Sequence, residues 1–383
     1  MKIFRSAIYH SPERDRLISF EDGGLAVENG RIAACGGYAE VHAAHPEAEA
    51  IDMRDGCILP GLIDTHTHFP QARILGGLGY SLLDWLERIA LPEEARMADM
   101  PYAHAVADEF TEALAAQGTT AALVFGAHFA DATAALFESA ARKGLRIVSG
   151  LVLSDRYLRS DLLQTPDRAY CESRRLIETI RPHRRLGYAV IPRFALSASE
   201  EMLDVCRALL RENPEALFTT HLNENADEVR EVARQFPESA DYLEVYERSE
   251  LISHRSVLAH NVQVTDDQLS RLARYGAAVA HCPCSNAALG SGMFPMERHL
   301  RHRVRFALGT DVGAGAGFSI LREAMHAHLF QRVAPDPGII DPSEMLYLAT
   351  KAGAEALNIS HRIGDFTPGK DADFVWGKHT QLT

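Results

Sequence analysis

The feature that most constrains the fold of this 383-residue chain is a series of eight short apolar segments separated by stretches with helical periodicity. Segments rich in β-branched residues that alternate with amphipathic helices are typical of successive strand–helix units, whose strands form a parallel sheet. Eight such units predict that the sheet closes into a (β/α)8 TIM barrel. The predicted strands are residues 58–64, 119–126, 146–153, 186–192, 217–221, 256–260, 277–281 and 304–309.

Both ends of the chain depart from this pattern. Residues 1–58 contain short alternating segments broken by turn residues such as Asn29-Gly30, which is typical of β-hairpins. Residues 367–376 return to a turn followed by a strand. We therefore predict a small β-sandwich domain built from residues 1–58 and 365–383 beside a barrel domain of residues 59–364. The chain stops soon after its last predicted strand, so we expect the C-terminal part of the small domain to be incomplete.

Composition narrows the classes of partner. The formal net charge is −13, with acidic and basic residues interspersed, so neither nucleic acid nor an anionic membrane is an expected partner. The N-terminus lacks the apolar core of a signal peptide, and no segment reaches the roughly 18 apolar residues of a membrane span. Six cysteines are too sparse for a disulfide framework. We expect a cytoplasmic protein that acts on a small neutral molecule.

Polar residues stand at the carboxyl ends of the predicted strands, where (β/α)8 enzymes carry out their chemistry. The first strand ends in His66-Thr-His68, and an i, i+2 spacing puts both imidazoles on one face of a strand. The other strand-end residues are Arg193, His221, His260, His281 and Asp311.

This set predicts a metal site. We expect His66, His68, His221 and Asp311 to bind one divalent metal ion, because three imidazoles and a carboxylate suit zinc or iron and leave a position for water. A bound ion would lower the pKa of that water from 15.7 toward roughly 7. The fourth strand carries no lysine that could bridge two ions, so one ion is expected rather than two.

Glu224 follows His221 by three residues, at the start of a predicted helix. A carboxylate in a first helical turn is commonly there to complement the helix dipole. Beside a metal ligand it can instead take a proton from the activated water and deliver it to the substrate. We predict this catalytic role for Glu224.

Several motifs together resemble the metal-dependent amidohydrolase superfamily. They are Pro60-Gly-Leu-Ile-Asp-Thr-His-Thr-His68, Thr220-His-Leu-Asn-Glu-Asn225, Leu258-Ala-His-Asn261, Ala280-His-Cys-Pro-Cys-Ser-Asn286 and Gly309-Thr-Asp-Val-Gly-Ala-Gly315. More narrowly, His68-Phe-Pro-Gln71 and Pro192-Arg-Phe194 are similar to the guanine-deaminating members of that superfamily. The resemblance implies a hydrolase that converts guanine to xanthine and ammonia in purine catabolism, and it suggests a homodimer.

The resemblance also implies roles for individual residues. Gln71 and Arg193 would hydrogen-bond the purine base, with Arg193 meeting its 6-oxo group, while Phe194 stacks on the ring and Trp85 forms a wall. His260 would orient the water and the intermediate, and Asp311 would bind the metal and also accept a proton from the attacking water. His281 matches another position near the metal, and we expect it to contact the substrate.

Other functions stay open on the sequence. A related deaminase acting on 8-oxoguanine, cytosine or a purine nucleoside, or a triazine chlorohydrolase, would carry the same ligand set. A non-catalytic barrel used as a scaffold is a more distant alternative, since such proteins typically lose ligands. Gln71, Arg193 and Phe194 favour an oxopurine base.

Overall fold

The computed structural model describes residues 1–378. Its strands are β1 (Lys2–Glu13), β2 (Arg16–Glu28), β3 (Arg31–Gly37), β4 (Glu49–Pro60), β5 (Leu62–His68), β6 (Thr119–Phe125), β7 (Arg146–Gly150), β8 (Val152–Leu153), β9 (Leu186–Pro192), β10 (Leu217–Leu222), β11 (Ser256–His260), β12 (Ala278–His281), β13 (Arg305–Leu308) and β14 (Phe374–Lys378).

The α-helices are α1 (Tyr38–Ala44), α2 (Leu82–Trp85), α3 (Leu91–Ala95), α4 (Met100–Ala116), α5 (Ala130–Lys143), α6 (Pro166–Ile180), α7 (Glu200–Glu212), α8 (Ala226–Gln235), α9 (Tyr242–Arg248), α10 (Asp266–Tyr275), α11 (Pro283–Ala288), α12 (Met296–Arg301), α13 (Ile320–Gln331), α14 (Pro342–Ala349) and α15 (Lys351–Ala356). Short 3₁₀ helices span Phe69–Gln71, Arg96–Ala98, Ser160–Leu162 and Ala195–Ser197, and a π-helical turn spans Leu86–Ala90.

The barrel is formed by β5, β6, β7, β9, β10, β11, β12 and β13 in chain order, all parallel where they pair, and β8 continues β7 alongside β9. Hydrogen bonds between the first and last strands bring the two edges together. Thr65 donates its hydroxyl to the carbonyl of Leu308 (2.8 Å), and the amide of His68 donates to the carbonyl of Val312 (3.0 Å). The predicted (β/α)8 barrel is therefore confirmed.

Alternation along the strands separates two apolar layers. On β6, Leu123 and Phe125 point into the barrel interior with Ile63 and Ile191, whereas Val124 faces the surrounding helices. Residues from the end of α15 and the segment after it, including Leu357 and Ile363, join the interior layer. The amino end of the barrel is thus filled with apolar side chains, and the carboxyl end is left for polar ones.

The small sheet comes from both ends of the chain, as predicted. Its strand order is β14-β4-β1-β2-β3, with β1 and β4 parallel and the other pairs antiparallel. The predicted turn Asn29-Gly30 joins β2 to β3, and both residues have positive φ (50° and 75°), as a tight hairpin requires. Helix α1 packs Val41 against Ile3 on one face of the sheet. The proposed domain boundaries stay a prediction, and residues 379–383 lie outside the described part.

Two predicted strands are divided in the structure, and one of them, residues 146–153, forms β7 and β8 on either side of Leu151. The first predicted barrel strand breaks at Gly61, where the chain passes from the small sheet into the barrel. A Cβ at Gly61 would lie 2.0 Å from the hydroxyl of Thr120, so no other residue fits this crossing. Residues 342–356 form two helices, α14 and α15, because Thr350 leaves helical geometry (φ −132°, ψ −83°) and donates its hydroxyl to the carbonyl of Leu346 (2.6 Å).

Within residues 1–378, no helix has the length and apolar character needed to cross a membrane.

Candidate active site

The carboxyl end of β5 positions the first two histidines. His66 and His68 alternate with Thr67, so their rings project from the same side of the strand. The buried carboxylate of Asp64 accepts hydrogen bonds from the amides of His66 (3.1 Å) and Thr310 (3.0 Å). Because the amide of Asp311 also donates to the carbonyl of His66 (2.9 Å), the end of β13 is held directly beside the two imidazoles.

Four buried donor groups converge at this point: His66, His68, His221 and Asp311. Oδ1 of Asp311 lies 3.2 Å from Nε2 of His66 and 3.3 Å from Nε2 of His68, and the two Nε2 atoms are 3.3 Å apart. Ligand atoms about 2.0–2.1 Å from one ion at tetrahedral angles are about 3.3 Å apart. The arrangement of this donor set therefore fits a divalent metal ion.

The protonation states of the three histidines also suit metal binding. Burial lowers the pKa of His68 to about 4 despite the opposing effect of Asp311, and burial also lowers the pKa of His66 and His221. Neutral imidazoles offer lone pairs to a metal. His221 donates its Nδ1 proton to the carbonyl of Arg193 (2.6 Å), which fixes the tautomer that leaves Nε2 as a ligand atom.

Glu224 and His260 form a second buried pair next to the donor set. Oε2 of Glu224 lies 3.4 Å from Nε2 of His260, which is 3.9 Å from Oδ2 of Asp311. His260 donates its Nδ1 proton to the side-chain oxygen of Asn286 (2.9 Å), leaving Nε2 as an acceptor. Burial raises the pKa of Glu224 well above its ordinary value, and the carboxylates of Glu228 and Asp311 raise it further. Glu224 is thus suited to hold and release a proton.

The backbone beneath Glu224 is held by Glu228. One oxygen of Glu228 accepts the amides of Glu224 (3.0 Å) and Asn225 (3.3 Å), and the other accepts the hydroxyl of Tyr242 (2.8 Å). Asn225 and Glu228 form a capping box at the start of α8. The sequence analysis did not identify Glu228. Its spacing from Asn225 is typical of a capping box and could have indicated it.

A narrow cavity opens beside the donor set. Its volume of about 20 Å³ leaves room for little more than one water molecule. The residues that line it are His68, Gln71, Leu82, Trp85, Leu86, Arg193, Phe194, His221, Glu224, Leu289, Asp311 and Ala314. Gln71, Trp85, Arg193 and Phe194, which the sequence assigns to substrate binding, all lie on its wall.

Glu94 connects the polar residues of that wall. It lies on α3 and is 3 % exposed; one of its oxygens accepts a hydrogen bond from Nε2 of Gln71 (2.7 Å) and forms an ion pair with the guanidinium of Arg193 (3.1 Å). Its other oxygen lies 3.1 Å from Nε2 of His128. Burial would raise the pKa of Glu94, but Arg193 and His128 outweigh it and lower the value to about 2. No local motif marks this residue, which the sequence interpretation missed.

Gln71 is oriented at both ends of its carboxamide. While its nitrogen donates to Glu94, its oxygen accepts the amide of Gly313 (3.0 Å). One N–H of Gln71 is left to face the cavity. The loop after β13 and helix α3 therefore position a side chain that follows β5.

His281 has different surroundings from the other strand-end histidines. Its ring stacks on Phe294, with the ring centroids 4.2 Å apart, and it does not line the cavity. Among residues 1–378, neither ring nitrogen has a hydrogen-bond partner. Its predicted contact with substrate stays a prediction.

The strand ends of this (β/α)8 barrel direct three imidazoles and a carboxylate to one point, and a buried acid lies beside them. This is the architecture of a metal-dependent hydrolase. Comparison with known proteins agrees. Residues 57–378 match the amidohydrolase family, and residues 23–48 match an imidazolonepropionase-like composite domain of bacteria. The chain belongs to the amidohydrolase family.

Individual relatives are similar over nearly the whole chain. A probable guanine deaminase of Deinococcus radiodurans is 53 % identical over 98 % of this chain and 88 % of its own length. The solved structure of E. coli guanine deaminase matches with a TM-score of 0.95 at 34 % identity, covering 99 % of this chain and 90 % of that one. Guanine deaminase from C. acetobutylicum, solved with guanine in its active site, matches with a TM-score of 0.93 at 27 % identity over 100 % and 91 %.

Proposed function

We propose that this protein is a guanine deaminase, which hydrolyses guanine to xanthine and ammonia. The observation that carries the proposal is the wall of Gln71, Arg193 and Phe194 directly beside the four-donor site. Guanine presents a flat aromatic face and an edge of donors and acceptors, which an aromatic side chain, a carboxamide and a guanidinium match. Relatives that carry this name, at up to 53 % identity, support the same reading.

The residues that would hold the metal are His66, His68, His221 and Asp311. We propose one zinc ion, because a ligand set rich in imidazole suits zinc, and iron(II) is the alternative. When bound, the ion lowers the pKa of a water molecule toward roughly 7 and makes hydroxide available at neutral pH.

Glu224 carries the protons of the reaction. The water oxygen adds to C2 of guanine, and the amino group on C2 leaves as ammonia, so one proton must move from the water to the leaving nitrogen. Glu224 lines the cavity and is buried, and its raised pKa keeps it able to hold that proton between the two steps. Asp311, which accepts a hydrogen bond from Ser285, accepts the proton that remains on the attacking oxygen, and this second proton ends on N3 of the product xanthine.

The other side chains bind and orient. His260, held by Asn286, directs Nε2 toward Glu224 and Asp311 and orients the attacking water. Arg193 donates to the 6-oxo group of the purine, and Phe194 stacks on the ring. Trp85 forms part of the cavity wall.

The test is ammonia release by the purified, metal-loaded chain with guanine, 8-oxoguanine, cytosine and adenosine. We expect guanine to be turned over fastest. Equal or faster turnover of another compound would replace the proposed substrate, and absence of any bound transition metal after purification without chelator would favour a scaffold.

Replacing Glu224 tests the proton transfer. Glu224→Gln should keep its metal content and lose at least about 100-fold in kcat, the low end for general acid–base catalysis. Glu231→Gln is the matched control, because Glu231 lies on α8 and pairs with Arg234 (2.6 Å) instead of facing the cavity. Near-normal turnover by Glu224→Gln would remove Glu224 from the mechanism.

The homodimer, the cytoplasmic location and the place in purine catabolism that the sequence analysis predicts stay predictions.

A further inference from the structure

A second cavity lies at the opposite end of the barrel from the candidate active site. Its volume is about 540 Å³, within the 300–1,000 Å³ range common for small-molecule sites. It lies at the amino ends of β6, β7 and β9 and is also bordered by the turn before β3 and the segment before β14. We call it the arginine pocket after its six cationic side chains, Arg31, Lys143, Arg146, Arg184, Arg185 and Arg362.

The positive charge of the arginine pocket is only partly balanced. Two carboxylates line it within residues 1–378, Asp371 and Asp373, and Glu112, which lies outside the lining, pairs with Lys143. Asp371 is shared by three guanidiniums: it lies 3.0 Å from Arg146, 3.0 Å from Arg362 and 3.6 Å from Arg31. Burial raises the pKa of Asp373, which further limits the negative charge available. This local excess of positive charge contrasts with the net charge of −13 of the whole chain.

Arg146 is the buried cation of this pocket. The residue is 9 % exposed, and its Nε has no hydrogen-bond partner among the described residues. Burial lowers the pKa of Arg146, and the charge of Arg362 lowers it further, so its surroundings carry too little negative charge. A buried guanidinium with too little negative charge around it is costly, and an anion in the pocket would supply negative charge close to it.

We infer that the arginine pocket binds a small phosphate-bearing anion of the triphosphate class. Guanidinium groups match phosphate oxygens with paired N–H donors, which favours phosphate over a weakly charged ligand. The pocket is larger than one phosphate needs, and its uncompensated cations suit a ligand with several negative charges. The negative field of the whole chain disfavours long polyanions, which would extend over the surrounding surface.

Calorimetric titration of the metal-loaded full chain with inorganic triphosphate tests the inference. The charge-reversed variant Arg184→Glu/Arg185→Glu should bind triphosphate about tenfold or more weakly, because two exposed cations of the pocket become anions. Arg181→Glu is the matched control: it is exposed on the same loop, lies outside the pocket, and should leave affinity unchanged. Circular dichroism and ammonia release should be normal in both variants.

Titration with ATP and adenosine identifies the part of the ligand that is recognised. Tighter binding of ATP than of triphosphate would identify a nucleotide, equal binding would identify the phosphate chain alone, and either result supports the inference. No binding of triphosphate, binding that the double variant leaves unchanged, or equal loss in Arg181→Glu would overturn it.

Discussion

Glu94 is the residue on which the polar wall of the candidate site depends. A single oxygen of this buried carboxylate accepts a hydrogen bond from Gln71 and forms an ion pair with Arg193. Because Arg193 and His128 hold the pKa of Glu94 at about 2, it is ionised at neutral pH and balances the charge of the buried guanidinium. It touches the residues that would bind the purine, so we regard it as a positioning residue.

The variant Glu94→Gln should therefore impair substrate binding more than chemistry. A carboxamide keeps the shape of the side chain but sets one N–H donor against Gln71, Arg193 or His128, which displaces the wall. We expect kcat/KM for guanine to fall by about 100-fold, mostly through a higher KM, with metal content unchanged. Steady-state kinetics and metal analysis check this.

Glu93→Gln is the control for that experiment. Glu93 is also buried and lies on the same helix, but it bonds to Tyr102 and Arg96 rather than to the cavity wall. If KM rises equally in both variants, the effect comes from the folding of α3 and not from the positions of Gln71 and Arg193.

At the scale of elements, α2 and the π-helical turn after it close the cavity. Leu82, Trp85 and Leu86 line it, and the space they leave is about 20 Å³. A purine base is much larger than the single water molecule that this volume accommodates. The segment before α2 contains Gly76 and Gly79 with positive φ (89° and 99°) and open space around both. We infer that this segment moves to admit substrate.

Hydrogen–deuterium exchange can detect this movement. Amides of residues 81–90 should exchange faster than those of α5 in the free protein, because α2 is four residues long whereas α5 has 14 residues. Binding of the product xanthine should slow exchange in residues 81–90 and leave α5 unchanged. Equal protection of both segments in the free protein, with no change on binding, would show that the cavity opens elsewhere.

At the scale of the whole molecule, Asp365 joins the barrel to the small sheet. Its buried carboxylate accepts hydrogen bonds from Lys351 on α15 (3.0 Å), from Lys370 (2.6 Å) and from the amide of Thr367 (2.9 Å). The carbonyl of Lys370 in turn accepts the amide of Ile32 on β3 (2.9 Å). Burial would raise the pKa of Asp365, but these bonds lower it to about 2.

This lowered pKa makes the junction sensitive to acid. The carboxyl group titrates near 3.9 in the unfolded chain, so its ionised form stabilises the fold above about pH 4 and the contribution disappears as the pH falls toward 2. Asp365→Asn should lower the free energy of unfolding by about 2 kcal/mol at pH 7, and the difference from the unsubstituted protein should shrink between about pH 4.5 and 2.

Urea denaturation followed by circular dichroism at several pH values measures that difference. The control is Asp336→Asn, because Asp336 is exposed and lies 3.7 Å from Arg301. A stability difference for Asp365→Asn that is the same at every pH would show that the loss comes from packing and not from charge.

The sequence by itself determined the features that depend on short-range regularity. Alternation along one strand places His66 and His68 on the same face, and the repeat of strand and helix places His221, His260 and Asp311 at the same end of a parallel barrel. These are consequences of backbone geometry, which a periodic pattern reveals. The extents of β9 (Leu186–Pro192) and β11 (Ser256–His260) match the predicted ranges for the same reason.

Only the tertiary structure decided which distant side chains complete each site. Glu94 meets Arg193 across 99 positions of sequence and Arg146 meets Asp371 across 225, because the closing of the barrel and the return of the C-terminal strand bring them together. Neither pair has a local signal, since an acidic residue on a helix and an arginine at a strand start are both ordinary on a surface. Burial gives these charges their roles, and burial depends on the whole fold.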